Sequence, residues 1–435
     1  MDNILRLQSC ALLAFCLFAV DSSYAPEMFW PKWTIDSHGN GADGVHIGDI
    51  NQDGLIDVVS GWEQSGDIKL YINPGRHRVR EENAWSRTDI SGGLEIEGIE
   101  DAAFADLDLD GVIDTVISSI EGNTKNLAIH WPQGGNIEKR TDWRAIVLSP
   151  DKHAGYMKAR AGQIDGIGGA DIVAGTRDLS GENAGIYWFK SPVGSPWANA
   201  DQWRRFFVGE IDGKTVTLVL KDMDADKLTD IVYSGRNGVG WFKNPGHEVL
   251  NENPLEATWE RIVITDVGSE LTFCDASGDG MEDIIITASR YTHIVARWLE
   301  RLDESGRHWA AYPIDSDLLR GANTSDKLAL KGVACGFVDG DDRIDLVFTS
   351  SGHGHGVFMM SPRTVVGHDK IWDVVYITPY ADNIKYDNLE LVDMDRDGDL
   401  DIVTTEEGEG VLTRGEGVLW FENPLHQSEV DEQSH

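Results

Sequence analysis

The sequence predicts an all-β fold: a seven-bladed β-propeller of four-stranded antiparallel blades, its ring closed by an N-terminal strand that completes the last blade. Three observations predict it. An acidic nonapeptide recurs seven times, a β-branched apolar run follows each copy, and a tryptophan opens a further apolar run once per period. The aspartates that close the nonapeptide stand at 57, 114, 171, 230, 283, 345 and 401, in steps of 57, 57, 59, 53, 62 and 56 residues. A regular period of that size marks a propeller, solenoid or array.

The nonapeptide itself comes first. Five copies carry oxygen side chains at positions 1, 3, 5 and 9: Asp49, Asn51, Asp53, Asp57; Asp106, Asp108, Asp110, Asp114; Asp222, Asp224, Asp226, Asp230; Asp275, Ser277, Asp279, Asp283; and Asp393, Asp395, Asp397, Asp401. Hard oxygen ligands at alternate positions, with a glycine for the sharp turn, are what calcium requires. An EF-hand places its last acid at position 12 between helices. Here the acid comes at position 9 and a strand follows at once, as in DVVSG or DIVYS. A single such turn could equally be an aspartate-rich loop that needs no metal. Five copies in register point to about five Ca²⁺ ions. Two worn copies, Gln163, Asp165, Ile167, Asp171 and Phe337, Asp339, Asp341, Asp345, are expected to be weak or empty. The fourth copy has Lys227 where glycine is preferred.

The strands follow. Segments such as GVHIGDI and TLVLKDM precede the turn, and the apolar run after it supplies the second strand. A third strand often ends in aromatic-x-Asn-Pro, as in YINPG and WFKNPG. Trp33, Trp85, Trp143, Trp203, Trp259, Trp309 and Trp372 open the fourth, and they are expected to pack between neighbouring blades. Trp33 begins a fourth-type strand before any turn has appeared, whereas the last repeat stops after its third strand near Pro424. The N-terminal strand therefore completes the C-terminal blade and removes an open sheet edge.

With these turns and strands in view, the chain resembles the FG-GAP/VCBS-repeat proteins, the group that includes the integrin α-chain propellers. The resemblance covers nearly the whole chain after residue 25. It implies calcium in the hairpin loops between first and second strands. It implies no single activity, because this propeller serves adhesion, polysaccharide lyases and sugar dehydratases alike.

Composition bounds the rest. Residues 1–25 read as a secretory signal, with Arg6, an apolar stretch from Ala11 to Val20 and a Ser23-Tyr24-Ala25 cleavage site. Pro26 disfavours that cut, and a retained anchor is the alternative. The propeller is expected over 26–425 and a disordered polar tail over 426–435. No later segment is apolar enough to cross a membrane. A secreted, extracellular or periplasmic monomer is expected. Cys274 and Cys335 are the cysteines left after cleavage. They could pair, but the expectation is two free buried thiols and a fold that does not lean on disulfides. The formal net charge is −37. Nucleic acid, which is held by basic patches, is therefore an unsuitable partner.

Chain direction places the acidic turns on one face and sends the search for function to the other. Segments leading into the first strands carry Asp43, Glu100, Asp101, Lys158, Glu270, Lys331, Asp387 and Asn388, all 13 or 14 residues before the closing aspartate. Loops between second and third strands add Glu63, Arg177, Arg236, Arg290, Tyr291, His353, His355, Glu406 and Glu407. His38, His153 and Tyr386 stand in longer lead-in loops. Such a funnel suits an anionic or polyhydroxyl ligand. Asp43, Asp101, Arg177, Arg236, Glu270, Arg290, Lys331, His353, His355 and Asp387 are the candidate ligand-binding residues. His353-Gly-His355 could also hold a transition metal, or be a flexible turn.

Two functions stand. The first is a binding module engaging a glycan or an extracellular protein through the funnel. The second is a carbohydrate lyase or dehydratase, with His153, Lys158 and Tyr291 as catalytic groups for a β-elimination and Arg177 and Arg290 as an electrostatic clamp. The absence of a recognisable catalytic motif favours binding.

Overall fold

The computed structural model describes residues 29–120, 127–134, 136–148, 155–177, 184–194, 197–235, 237–288, 296–314, 330–350, 356–366, 369–379, 384–408 and 415–426. The expected leader and residues 427–435 of the expected tail lie outside them. The chain forms seven four-stranded antiparallel sheets arranged as blades. Blade 1 consists of Ala42–Gly48, Asp57–Trp62, Asp67–Ile72 and Ser86–Asp89. Blade 7 takes three strands from the C-terminal end, Tyr386–Val392, Asp401–Glu406 and Gly417–Phe421. Its fourth is Lys32–Asp36, with Trp33 opposite Trp420 and Lys32 opposite Phe421. The ring is thus closed by the N-terminal strand. Among the described residues no helix is long and apolar enough to cross a membrane.

The second strands explain why the blades stack. Asp57–Trp62, Thr115–Ile120, Asp171–Thr176, Asp230–Gly235, Asp345–Ser350 and Asp401–Glu406 are buried at every residue. A strand covered on both faces has no solvent side to alternate with, so it reads as a continuous β-branched run. The apolar core is correspondingly divided into seven clusters, each shared by two adjacent blades. The fourth-strand tryptophans lie in these seams. Trp143, for instance, packs with blade 1 residues Val59 and Leu70. Its indole donates to the Ile137 carbonyl at 2.8 Å, and Trp85 treats Val79 likewise at 2.9 Å. Trp33 differs in facing the seam between blades 7 and 1, where it donates to Glu422 at 2.7 Å.

One expectation is overturned. Cys274 and Cys335 are joined in a disulfide, with Cα atoms 6.5 Å apart. They end or nearly end the first strands of blades 5 and 6, Leu271–Cys274 and Leu330–Gly336. First strands crowd side by side around the axis, so cysteines 61 residues apart in sequence come within bonding reach.

Candidate functional site: an acidic turn face and an axial funnel

The acidic turns are built from backbone hydrogen bonds to their own carboxylates. In blade 1, Asp49 accepts from the Asp53 and Gly54 amides at 3.1 and 2.8 Å, and Asp53 accepts from Leu55 at 2.7 Å. Asp57 accepts from Ile50 at 3.2 Å and reaches across to the Asn73 amide of the third strand at 2.9 Å. Blade 7 repeats the pattern through Asp393, Asp397 and Asp401. Position 4 is left-handed in all seven turns, and non-glycine residues take it at Gln52 (φ 59°), Leu109 (φ 63°), Ala225 (φ 61°) and Arg396 (φ 61°). Lys227, at position 6, is also left-handed, with φ 71°. Such residues cost roughly 1 kcal/mol each, so the surrounding hydrogen bonds must over-determine the turn.

Three of the five oxygen sets, those of blades 2, 4 and 7, bring carboxylates together as a metal cage requires. Ligand atoms of Asp106, Asp108 and Asp110 lie within 4.8 Å of one another, as do those of Asp222, Asp224 and Asp230, and of Asp393, Asp395 and Asp401. Asp397 Oδ2 and Asp224 Oδ1 are buried and accept no hydrogen bond. Buried acceptors without donors are costly, and an all-oxygen donor set of high negative charge suits a hard divalent cation. The residues present therefore fit calcium. The closing aspartates are buried in every turn but that of blade 2, where Asp114 is partly exposed. Burial raises Asp57 and Asp171 to about 7 and Asp401 to about 8, against hydrogen bonds from Asn73, Ser191 and Asn423 respectively.

The worn copies look different. In blade 3, Lys190 meets Asp165, and Gln163 takes over the acceptor role of a first-position acid, with the Asp165 and Gly166 amides at 3.0 and 2.7 Å. In blade 6, Phe337 is exposed and Arg343 clamps Asp341, its Nε at 2.7 Å. The closing aspartates Asp171 and Asp345 nevertheless keep their backbone partners, Ile164 and Ser191 in one case and Val338 in the other. That residue is a strand staple as well as a potential ligand.

The opposite face gathers the lead-in residues into a ring. In six first strands the ladder shifts register at the same level, between Asp43/Val45, Ile99/Asp101, Tyr156/Lys158, Thr215/Thr217, Leu330/Val333 and Tyr386/Leu389. A bulge re-aims side chains, and these bulges bring neighbouring charged positions to the channel mouth. Lys331 Nζ lies 3.1 Å from Asp387 and 3.4 Å from Glu407, which also meets Lys385 at 2.6 Å. Asp43 and Asp387 are hydrogen-bonded carboxyl to carboxyl. Burial and the Asp387 charge raise Asp43 well above the usual carboxylate range. Against its own burial, Asp387 is lowered by Lys331 and by the hydrogen bond from Asp43. Arg177 stands 4.0 Å from Glu100.

Deeper in the channel a second cluster centres on buried Asp101. Arg160 Nη1 donates to it at 2.6 Å, His46 Nε2 lies at 3.0 Å and Lys158 Nζ at 3.5 Å. Lys158, Arg160 and His46 outweigh burial and hold Asp101 well below its usual pKa. His46 Nδ1 faces Glu390 at 3.6 Å. Across the axis Glu270 accepts from Thr217, and burial raises its pKa. Between them is a cavity of about 260 Å³, lined by His46, Lys158, Arg160, Thr217, Glu270, Asn388 and Glu390 on its polar side and by Val219, Leu271 and Val333 among its apolar residues.

The structure thus brings together Asp43, Asp101, Lys158, Glu270, Lys331 and Asp387, with Arg177 at the rim. His153, Arg236, Arg290, Tyr291, His353 and His355 lie outside the described residues. Tyr386 does not face the funnel: it is buried against Phe421, ring centroids 5.8 Å apart, because it begins a first strand inside the blade seam. Sequence reasoning missed His46, Arg160, Lys385 and Glu390. Three of these stand 11 residues before a closing aspartate, two beyond the mouth positions. The period of two along a strand would have found them, since alternate residues share a face.

The profile of the FG-GAP-like repeat family matches residues 49–117, from the first acidic turn into the second strand of blade 2. The chain is a seven-bladed propeller, and this stretch of it matches the FG-GAP-like repeat. Among curated proteins none matches its sequence. Among solved structures it is similar to the β-propeller domain of Myceliophteria thermophila Cps50 (Swd1), at 11% identity over 90% of this chain and 100% of that one, with a TM-score of 0.50. It is also similar to an Agrocybe aegerita lectin solved for its specific recognition of non-reducing terminal N-acetylglucosamine, at 14% identity over 85% and 86% of the two chains, with a TM-score of 0.43. At 11% identity the likeness to the Cps50 propeller speaks to the fold alone.

Proposed function

We propose that the protein is a secreted, calcium-stapled binding propeller that takes a glycan through its axial funnel. The observation that carries this reading is the channel cavity, which sets donors and acceptors beside an apolar wall. Sugars present hydroxyls that both donate and accept, together with C–H faces that pack on apolar side chains. Lys158 and Arg160 are offset by Asp101, Glu270 and Glu390, so the lining favours a neutral or weakly charged sugar over a polyanion. Calcium in the turn face would neutralise converging carboxylates and lock the hairpins that carry the first strands. A secretory leader over residues 1–25 and an oxidised Cys274–Cys335 pair both suit an oxidising exterior.

The geometry lends less support to β-elimination. Although burial alone would lower it, Asp101, Glu270 and Asp43 raise the pKa of Lys158 and keep it a cation at neutral pH, an electrostatic group rather than a base. The test is a glycan panel read by calorimetry, with ultraviolet absorbance followed for unsaturated products. Glycan binding is expected, and Lys158→Met and Glu270→Gln are each expected to weaken it by about tenfold or more, the worth of one charge-assisted hydrogen bond. Binding unaffected by both substitutions, or product formation from uronic polymers, would overturn the reading. Chelation of calcium is expected to lower the melting temperature, and an unchanged melt with no bound metal would refute the staple.

A further inference from the structure

The turns differ in what already neutralises them. In blade 4, Lys243 Nζ donates to Asp226 at 2.6 Å and also to Asp224. Its place is set by the ladder: Phe242 pairs with Ile231, so Lys243 stands level with the closing Asp230. Blade 3 has the same device, since Phe189 pairs with Ile172 and the following Lys190 reaches Asp165. In blade 1 the corresponding residue is Ile72, and in blade 7 it is Glu422, which holds Arg80 Nε at 2.9 Å. Arg80 also touches Asp395, but it divides its guanidinium between that carboxylate and Glu422. Among the described residues no lysine or arginine is paired with the acids of the blade 2 turn. Blades 2, 4 and 7 alone carry carboxylates at all four of positions 1, 3, 5 and 9 of the turn.

We propose that Lys243 is a tethered cation that contests the metal turn of blade 4, making it the weakest of the three four-carboxylate turns. The proposal rests on the calcium reading above. The cage itself persists: carboxylate oxygens of Asp222, Asp224 and Asp230 converge within 4.8 Å, and Asp224 Oδ1 is buried without a donor. A divalent ion entering it must displace the ammonium from Asp224 and Asp226, and it meets one negative charge fewer than in blade 2. Ligand charge count is what tunes oxygen cages over decades of affinity. Blade 3 shows the limit of the same arrangement. There Gln163 and Ile167 have replaced two acids, and the lysine is left as the turn's own cation.

The test is a calcium titration of the full chain by calorimetry, with bound metal counted by elemental analysis. It compares the wild type with Lys243→Met, Lys243→Gln and Lys190→Met. Removing the Lys243 charge is expected to tighten one calcium step by about tenfold or more, the gain from one added negative charge in the cage. Lys190→Met is expected to add no site. If both Lys243 variants leave every step unchanged while calcium still binds, the inference is wrong and the calcium reading stands. If Lys190→Met gains a site as well, general electrostatics rather than a tethered ligand is responsible. If no form binds calcium, the calcium reading falls and this inference with it.

Discussion

The two faces of the propeller solve the burial of charge in opposite ways. On the turn face each blade repeats one local circuit, in which carboxylates accept backbone amides of their own hairpin. On the funnel face no blade repeats another. Asp101 of blade 2 is held by Arg160 of blade 3 and His46 of blade 1, and Lys331 of blade 6 by Asp387 of blade 7. Local circuits are satisfied within one blade, so they can be copied and can degrade one blade at a time. Circuits between blades are satisfied only when the ring is closed.

Substitutions can break or sharpen this contrast. The largest effect is expected at a closing aspartate. Asp401→Ala leaves the buried amides of Met394 and Asn423 without acceptors and should cost about 4 kcal/mol in denaturant unfolding, from roughly 1–3 kcal/mol per orphaned group. Asp171→Ala in the worn blade 3 should cost a similar amount, with or without calcium. A negligible loss there would show that the residue serves metal alone.

Next comes the disulfide on the channel wall. Replacing Cys274 and Cys335 by serine opens a 61-residue separation, and loop-closure entropy sets the loss at up to about 4 kcal/mol. Reduction should lower the melting temperature by the same mechanism, and a melt indifferent to reductant would contradict it.

A smaller effect, with a distinctive pH signature, belongs to Asp43. Its folded-state pKa is raised by burial and by Asp387. The folded state therefore binds the proton more tightly than the unfolded chain. Stability associated with this group is full below its unfolded value near 4 and falls as pH rises from there towards the raised value. Asp43→Asn should flatten that decline and stabilise the protein at neutral pH by about 1 kcal/mol. Added calcium, proposed to bind the other face, should leave this component unchanged. A decline that Asp43→Asn does not alter would place its origin elsewhere.

Legibility in the sequence follows the same division. Asp49 to Asp57 can be read as a hairpin turn because position, side chain and following strand are all local. Trp33 revealed the ring closure because a fourth-type strand arrived without a preceding turn. By contrast, His46, Arg160 and Glu390 sit among ordinary strand residues: the period of two puts them on the face of the mouth positions, but which charges they meet depends on neighbouring blades. Lys243 is equally silent: in sequence it ends an aromatic strand, and only the pairing of Phe242 with Ile231 carries its ammonium to Asp224. The disulfide was misread because 61 residues of chain separate its halves, whereas the ring sets their strands side by side.

The sequence by itself determined the repeat, the blade count and which face carries the acidic turns, because each depends on residues within one blade. The tertiary structure alone decided which charges neutralise one another across blades, where the channel cavity opens, that Cys274 meets Cys335 and that a lysine stands on the fourth acidic turn. Those depend on ladder register and ring closure, which bring together groups that the chain keeps far apart.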